Sequence, residues 1–179
     1  MTVSEYIKNI FRRRILRKLD GKVETGIIPV SQVHTAVAFI SVQDPSFDEC
    51  KLKLQAFYRE NKIKGEVFFF DFRKVGKGER LITSITTTIL EKDLDWLGRP
   101  VKEKVDHMLG SHPDMFISLL PTNSFPLEYM AKCSEARFKI GRFDMPGNTF
   151  DLVITDPQDR SLSQSESFDE IKHFLSLIK

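Results

Sequence analysis

The chain has few of the residues that mark disulfide-rich, metal-binding or membrane-spanning proteins. Its 179 residues include only two cysteines, Cys50 and Cys133, and no C-x-x-C pair. A disulfide framework or a cysteine zinc site needs more cysteines at closer spacing, so we expect two buried thiols in a reducing compartment. No apolar run approaches the roughly 20 residues of a membrane span, and no signal-peptide core is present. These absences predict a cytoplasmic protein.

The motifs of common catalytic and nucleotide-binding sites are also missing. The four histidines form no i, i+4 pair and no H-E-x-x-H, which removes the ligands of a helix-borne zinc site. Residues 75–79 lack the first glycine and the Ser or Thr of a P-loop, and neither G-x-G-x-x-G nor G-x-S-x-G occurs. We therefore predict no cofactor and no metal, and we favour a non-catalytic role over an enzymatic one.

Phenylalanine, in contrast, is abundant: there are 15 Phe against one Trp and three Tyr. Because Phe has no polar group, most of these rings are expected in the core. A chain of 179 residues suits one domain with a sizeable core. We predict a basic helical arm at residues 1–22 followed by a single α/β domain at residues 23–179.

The arm carries most of the positive charge. The net charge is +2, but the first 22 residues hold seven basic and two acidic side chains, which leaves a mildly acidic body. Ser4 to Leu19 is typical of a helix, with Gly21 as its stop. Its apolar residues are predicted to share one face, but Arg14 and Lys18 fall inside that arc. The apolar residues are Val3, Ile7, Ile10, Phe11, Ile15 and Leu19.

Three roles for the arm follow from this pattern. It packs its apolar side on the body and keeps its cations solvated, or it binds anionic lipid head groups, or it contacts nucleic-acid phosphates. Nucleic acid is the least favoured partner because few aromatic residues lie among the cations. A protein partner or an anionic membrane surface is preferred. The predicted contact residues are Lys8, Arg12, Arg13, Arg14, Arg17 and Lys18.

Residues 114–155 spell a strand–helix–strand unit. The apolar run at 115–120 is followed by a helix at Pro126–Ser134, then by strands at Arg137–Gly141 and Asp151–Ile154. A wholly apolar strand followed by a helix and another strand is typical of a parallel sheet covered on both faces. The full pattern predicts an open, doubly wound, mostly parallel sheet of five or six strands with helices on both faces, plus the N-terminal helix.

Other elements have local signals of their own. Strands are predicted at residues 34–41 and 66–71, a helix after Asp44 with a Ser46/Glu49 capping box, and a helix at Val101–Leu109. The Thr-rich residues 81–90 are predicted to add a strand or hairpin. A last helix is expected with a Ser167/Glu170 capping box.

An alternative function is a small-ligand or transferase-like domain that binds an anion of phosphate or nucleotide-sugar type. Doubly wound sheets bind ligands at the carboxyl ends of their strands. There the loops supply Arg73 after the second strand, Asn123 and Ser124 before a helix N-terminus, and Arg142 after the fifth strand. The competing interpretation is that Ser124 only caps the helix and that Pro126 occupies its first turn.

Two resemblances apply to these residues. The stretches at 116–119, 126–129, 134–142 and 150–154 resemble small uncharacterised proteins of Bacteroidetes, a domain-of-unknown-function family with a basic N-terminal helix and one α/β body. The layout of Asp114 to Arg142 is also similar to the first part of heptosyltransferase-type glycosyltransferases. This chain lacks the second domain and the acidic and His residues of those enzymes. That second resemblance therefore implies a fold and carries over no catalytic residue.

Overall fold

A computed structural model describes residues 3–19, 23–73 and 84–178, with the side chain of Val3 outside the description. Six strands form one sheet: β1 (Thr35–Ser41), β2 (Lys64–Asp71), β3 (Thr88–Leu90), β4 (Met115–Ser118), β5 (Phe138–Gly141) and β6 (Leu152–Val153). Five α-helices accompany it: α1 (Val3–Leu19), α2 (Phe47–Glu60), α3 (Lys102–Leu109), α4 (Phe125–Cys133) and α5 (Gln164–Leu177). The predicted α/β class with an N-terminal helix is confirmed.

The sheet is parallel throughout, with strand order β3-β2-β1-β4-β5-β6. β1 is central: Thr35–Ser41 pairs with β2, and Ala36–Phe39 pairs with β4. β2 and β3 are added on one side of β1, and β4, β5 and β6 are added on its other side. The direction in which successive strands are added therefore reverses between β1 and β4. In sheets of this kind the reversal opens a crevice at the carboxyl ends of those two strands.

Both faces of the sheet are covered by helices. On one face, alternate residues of β1 such as Ala38 and Ile40 join one core cluster with Leu54 of α2 and Phe168 of α5. On the other face, Phe39 joins a second core cluster that includes residues of α3 and α4. This alternation explains why β1 is apolar at nearly every position. Residues 115–120 are buried at every position, as the apolar run predicted.

Phenylalanine rings fill the second cluster. The ring of Phe39 lies 5.6 Å from that of Phe68, 5.9 Å from Phe70 and 5.1 Å from Phe116, measured between centroids. Offset and edge-on contacts at these separations stabilise aromatic clusters beyond the burial of their area. The expectation that most Phe residues are core residues holds here, but Phe11 on α1 is 44% exposed.

In the part of the Thr-rich segment that the structure describes (84–90), the strand is confined to Thr88–Leu90. Residues 81–83 lie outside the described residues, a 3₁₀ turn occupies Ile85–Thr87, and only Thr88–Leu90 pairs with β2. That pairing is parallel, so β3 is an added edge strand of the sheet and does not form a hairpin with β2.

Both predicted capping boxes are wrong. The last helix begins one turn earlier, where the Ser163 hydroxyl accepts the Glu166 N–H at 3.2 Å and Glu166 accepts the Ser163 N–H at 2.8 Å. Ser167 therefore lies inside the helix, and its hydroxyl donates to the Ser163 carbonyl. Ser46 precedes α2, but its side chain caps no backbone N–H of that helix; its hydroxyl donates to Asp44 instead.

The observed cap of α5 can be tested by mutation. Ser163→Ala removes the acceptor of the Glu166 N–H, and loss of such a cap costs about 1 kcal/mol. We expect the free energy of unfolding, measured by urea denaturation, to fall by that amount. Ser176→Ala is the matched control, because that exposed hydroxyl bonds only to His173 within the last turn. Equal losses in the two variants would contradict the assignment.

Candidate surface-binding site on the first helix

α1 lies against α4, and one residue sets its orientation. Leu16 is the buried hydrophobic residue of α1, whereas Ile15 and Leu19 beside it are half-buried. Ile7, Ile10 and Phe11 are exposed. The predicted apolar face is therefore wrong, because the side of α1 that meets the body is centred on Leu16, about half a turn away from Ile7 at 100° per residue.

Arg12 fastens α1 to the body. Its Nε donates to the carbonyl oxygen of Leu97 at 2.6 Å, and its guanidinium carbon lies 4.7 Å from the centre of the Phe125 ring at the start of α4. A charged hydrogen bond and a cation–π contact together hold one side chain between two segments of the body. Arg12 is half-buried as a result.

The predicted contact residues divide into two groups. Lys8 and Arg12 are half-buried on the side of α1 that faces the body. The other four cations are exposed: Arg13, Arg14, Arg17 and Lys18. Helical geometry places Arg14 and Lys18 opposite Leu16, Arg17 about 100° from it and Arg13 about 60° from it. Glu5, the one acidic residue of α1 as described (3–19), falls on the Leu16 side. The outward arc of α1 is thus purely cationic in its charge.

That arc also carries apolar residues. Tyr6 is 57% exposed and Ile10 51% exposed, and Ile7 and Phe11 are exposed beside them. All four lie in the first half of the helix, and the four exposed cations lie in the second half. We refer to these eight residues as the outward face of α1. The face combines a contiguous apolar area with a concentrated positive charge, and such areas mark interaction sites on protein surfaces.

The helix beneath α1 is firmly held at its far end. The Lys139 ammonium, which is buried, donates to the carbonyl oxygens of Ala131 at 2.9 Å and Ser134 at 2.7 Å, at the C-terminus of α4. Burial lowers the pKa of Lys139, which nonetheless satisfies carbonyls that the helix leaves without a partner. α4 is therefore a rigid support for α1.

Asn123 and Ser124, two of the predicted anion ligands, lie beside α1. They line a cavity of about 310 Å³ between α1 and the start of α4, together with Arg12 and Arg13. Ser124 is the residue before α4, but its side chain makes no capping hydrogen bond. Glu128 also lines this cavity, so the charge within it is mixed.

Arg73 and Arg142 lie elsewhere and contact other groups. Arg73 donates Nε and Nη2 to the Asp71 carboxylate at 2.8 and 2.7 Å, and this bidentate pair lowers the pKa of Asp71. The Arg142 side chain is 2% exposed and donates Nη2 to Asp156 and to the Leu162 carbonyl, both at 2.7 Å. β1 and β4 separate the strands that precede these two arginines. The structure brings Asn123 and Ser124 to one cavity and places the two arginines apart from it.

Trp96 adds to the outward face of α1 without having been predicted to. Its ring is 60% exposed and lies 6.1 Å from the Phe11 ring, edge to face, although 84 residues separate the two in sequence. The sequence did offer one signal, a single Trp in a chain rich in Phe. The residues around Trp96, however, do not indicate that it lies next to α1.

Within residues 3–19, 23–73 and 84–178, no three His, Cys, Asp or Glu side chains are placed to hold a metal ion. Neither cysteine forms a disulfide within the described residues; Cys50 is buried and Cys133 half-buried. Burial raises the pKa of the Cys50 thiol to about 12, which disfavours the reactive thiolate.

A comparison with family models matches residues 8–178, nearly the whole chain. The chain belongs to DUF6913, a family of unknown function. The match includes most of α1 together with the sheet. No curated protein matches the chain, and no solved structure does either. In the part of the chain that the structure describes, no helix has both the length and the apolar composition needed to cross a bilayer.

The role of Arg12 in holding α1 can be separated from that of its neighbour. Arg12→Ala removes the bond to Leu97 and the contact with Phe125, which together contribute about 1–2 kcal/mol. We expect faster hydrogen exchange at the amides of α1, measured by mass spectrometry on the full chain. Arg13→Ala is the control, since Arg13 is exposed. Equal exchange in both variants would contradict the anchoring role of Arg12.

Proposed function

We propose that the protein is a binding module that associates with an anionic membrane surface through the outward face of α1. The observation that carries this proposal is the sorting of charge around the helix. Four exposed cations occupy the second half of α1, and Arg14, Arg17 and Lys18 among them lie on the side away from Leu16, which packs on the body. Exposed apolar residues accompany these cations on the same helix. Cations that only increased solubility would not require such apolar neighbours.

Electrostatics supports a lipid surface as the partner. Each basic residue near an anionic bilayer contributes about 1 kcal/mol, so four contribute enough for reversible association. The apolar residues of the outward face add a contribution that does not depend on salt. The sequence pattern implied that Arg14 and Lys18 interrupt the apolar face that packs on the body. In the structure, neither residue lies on the side of α1 that meets the body. Both belong to a face that is exposed in its entirety.

The alternative, a small-anion site at the carboxyl ends of the strands, has weaker support. It requires Arg73, Asn123, Ser124 and Arg142 to act together. Asn123 and Ser124 do line a cavity with two arginines, but these are Arg12 and Arg13 of α1. Arg73 and Arg142 each have a carboxylate partner of their own. Such pairing reduces the charge available to a ligand, so we favour the surface of α1.

The proposal can be tested by removing the cations of the outward face. In the surface variant, Arg13, Arg14, Arg17 and Lys18 are each replaced by Gln. We expect the affinity for phosphatidylglycerol-containing vesicles to fall on the order of 1,000-fold, as four contacts of about 1 kcal/mol each imply. The measurement is vesicle co-sedimentation of the full chain. Binding of the unmodified chain is expected to weaken as salt shortens the Debye length below about 10 Å.

A control variant carries four Gln replacements at exposed cations outside α1: Arg59, Lys62, Lys64 and Lys172. It loses the same total charge, so any effect of net charge alone appears in both variants. We expect it to bind vesicles as the unmodified chain does. Equal weakening in the two variants, or no association of the unmodified chain with anionic vesicles, would contradict the proposal.

A further inference from the structure

The turn that carries Trp96 is tightly closed. The Asp95 carboxylate accepts the N–H groups of Leu97 and Arg99, both at 2.9 Å, and also pairs with Arg99 Nε at 2.7 Å. The Asp95 N–H donates to the Arg99 carbonyl, and Gly98 adopts a φ of 88°, which favours glycine. Asp95 therefore holds Trp96 at the tip of a rigid turn. The hydrogen bonds of the turn therefore keep the Trp96 ring exposed.

Neighbouring residues of the turn point in opposite directions. The Leu97 side chain is 4% exposed, and its carbonyl oxygen accepts the bond from Arg12. Trp96 points outward and meets Phe11 at 6.1 Å. One bond from α1 thus joins the helix to the turn, and the two outward rings form a joint surface. Two segments far apart in sequence have been brought to one apolar area.

This area continues along α1. Phe11, which meets Trp96, lies one helical turn from Ile7 and next to Ile10 in sequence, and Tyr6 is exposed in the same half of α1. The four cations follow further along the helix. At a rise of 1.5 Å per residue, the centre of the cations lies about 10 Å from the centre of the apolar residues. At the surface of an anionic bilayer, the lipid phosphates lie just outside the boundary where the acyl chains begin, so both groups of side chains find partners there. Trp and Tyr are enriched at that boundary.

We propose that Trp96, Tyr6, Ile7, Ile10 and Phe11 insert together into the headgroup region of an anionic bilayer, with Trp96 as the anchor. This inference rests on the proposed function and adds to it. Association through charge alone would leave all five side chains in water, whereas insertion removes them from it. The occupant is lipid, because exposed apolar side chains lie next to exposed cations on one helix, the combination by which helices bind the surface of an anionic bilayer.

Trp96 reports on its own environment, because it is the only tryptophan in the sequence. The experiment uses the full chain and vesicles of phosphatidylcholine in which about one lipid in three is phosphatidylglycerol. On binding, we expect the emission maximum of Trp96 to shift to shorter wavelength. We also expect iodide quenching to weaken and lipids with brominated acyl chains to quench the emission. Vesicles of phosphatidylcholine alone serve as the control.

Co-sedimentation of the same samples separates the two claims. Binding accompanied by a shift in Trp96 emission supports insertion. Binding with unchanged emission overturns insertion and leaves the electrostatic proposal standing. Absence of binding overturns both. A blue shift with an acidic polypeptide such as polyglutamate, in the absence of any shift with vesicles, would assign the surface to a protein partner and overturn the choice of lipid.

A variant tests the contribution of the apolar residues without the Trp96 signal. Ile10→Ser replaces an exposed side chain, so the fold is expected to be unaffected. Affinity for anionic vesicles is expected to fall on the order of tenfold, the loss expected when a large aliphatic side chain is no longer buried. Leu52→Ser is the matched control, because Leu52 is 65% exposed on α2. Equal affinities of the Ile10→Ser variant and the unmodified chain would contradict insertion.

Discussion

The contact of Leu16 and Arg12 with the body determines what the first helix presents to solvent. A helix has one side on which to pack, and that side is centred here on Leu16, with Arg12 bonded to Leu97. The opposite arc is then exposed whatever its composition. It holds both apolar residues and cations, and so the proposed function depends on this one choice of orientation. A rotation of α1 by half a turn would bury Ile7 and Ile10 and expose Leu16.

The doubly wound sheet supplies the rigidity that this arrangement needs. Its strands are covered on both faces, and α4 packs on the Phe-rich face. α4 in turn supports α1, and its C-terminal end is held by Lys139. The turn around Trp96 is fixed independently by Asp95. Two rigid elements therefore share one outward surface, which favours binding because little conformational freedom is lost when the surface is covered.

Much of the fold could be predicted from the sequence, because short apolar runs separated by helical patterns are compatible with few folds other than a parallel sheet covered by helices. Residues 115–120 are an example, since each is buried. Helix starts were harder to place. Two S-x-x-E patterns, at Ser163 and Ser167, lie four residues apart, and local sequence does not decide between them. The earlier one caps the N-terminus of α5, and Gln164 just after it is held by hydrogen bonds to the backbone of Ser41, a contact distant in sequence. The Thr-rich segment does add a strand, but of its described residues (84–90) only Thr88–Leu90 pair with β2, although the composition favours strand along the whole segment.

The candidate site was less predictable, for a physical reason. Periodicity shows that α1 has more than one possible apolar side, but only tertiary contacts decide which side is covered. The cations were predicted as a group, and four of the six are exposed. Trp96 was missed because its proximity to Phe11 is a contact between segments that are distant in sequence.

The most direct test of the account is to map which side of the full chain faces a bilayer. Amide NMR on anionic nanodiscs that carry a gadolinium-chelating lipid reports the proximity of each residue to the membrane. The account predicts that signal broadening is concentrated in α1 and in the turn of Trp96. It also predicts that α2 and α5, on the opposite side of the sheet, are unaffected. Broadening centred on α2 and α5, or none at all, would contradict it.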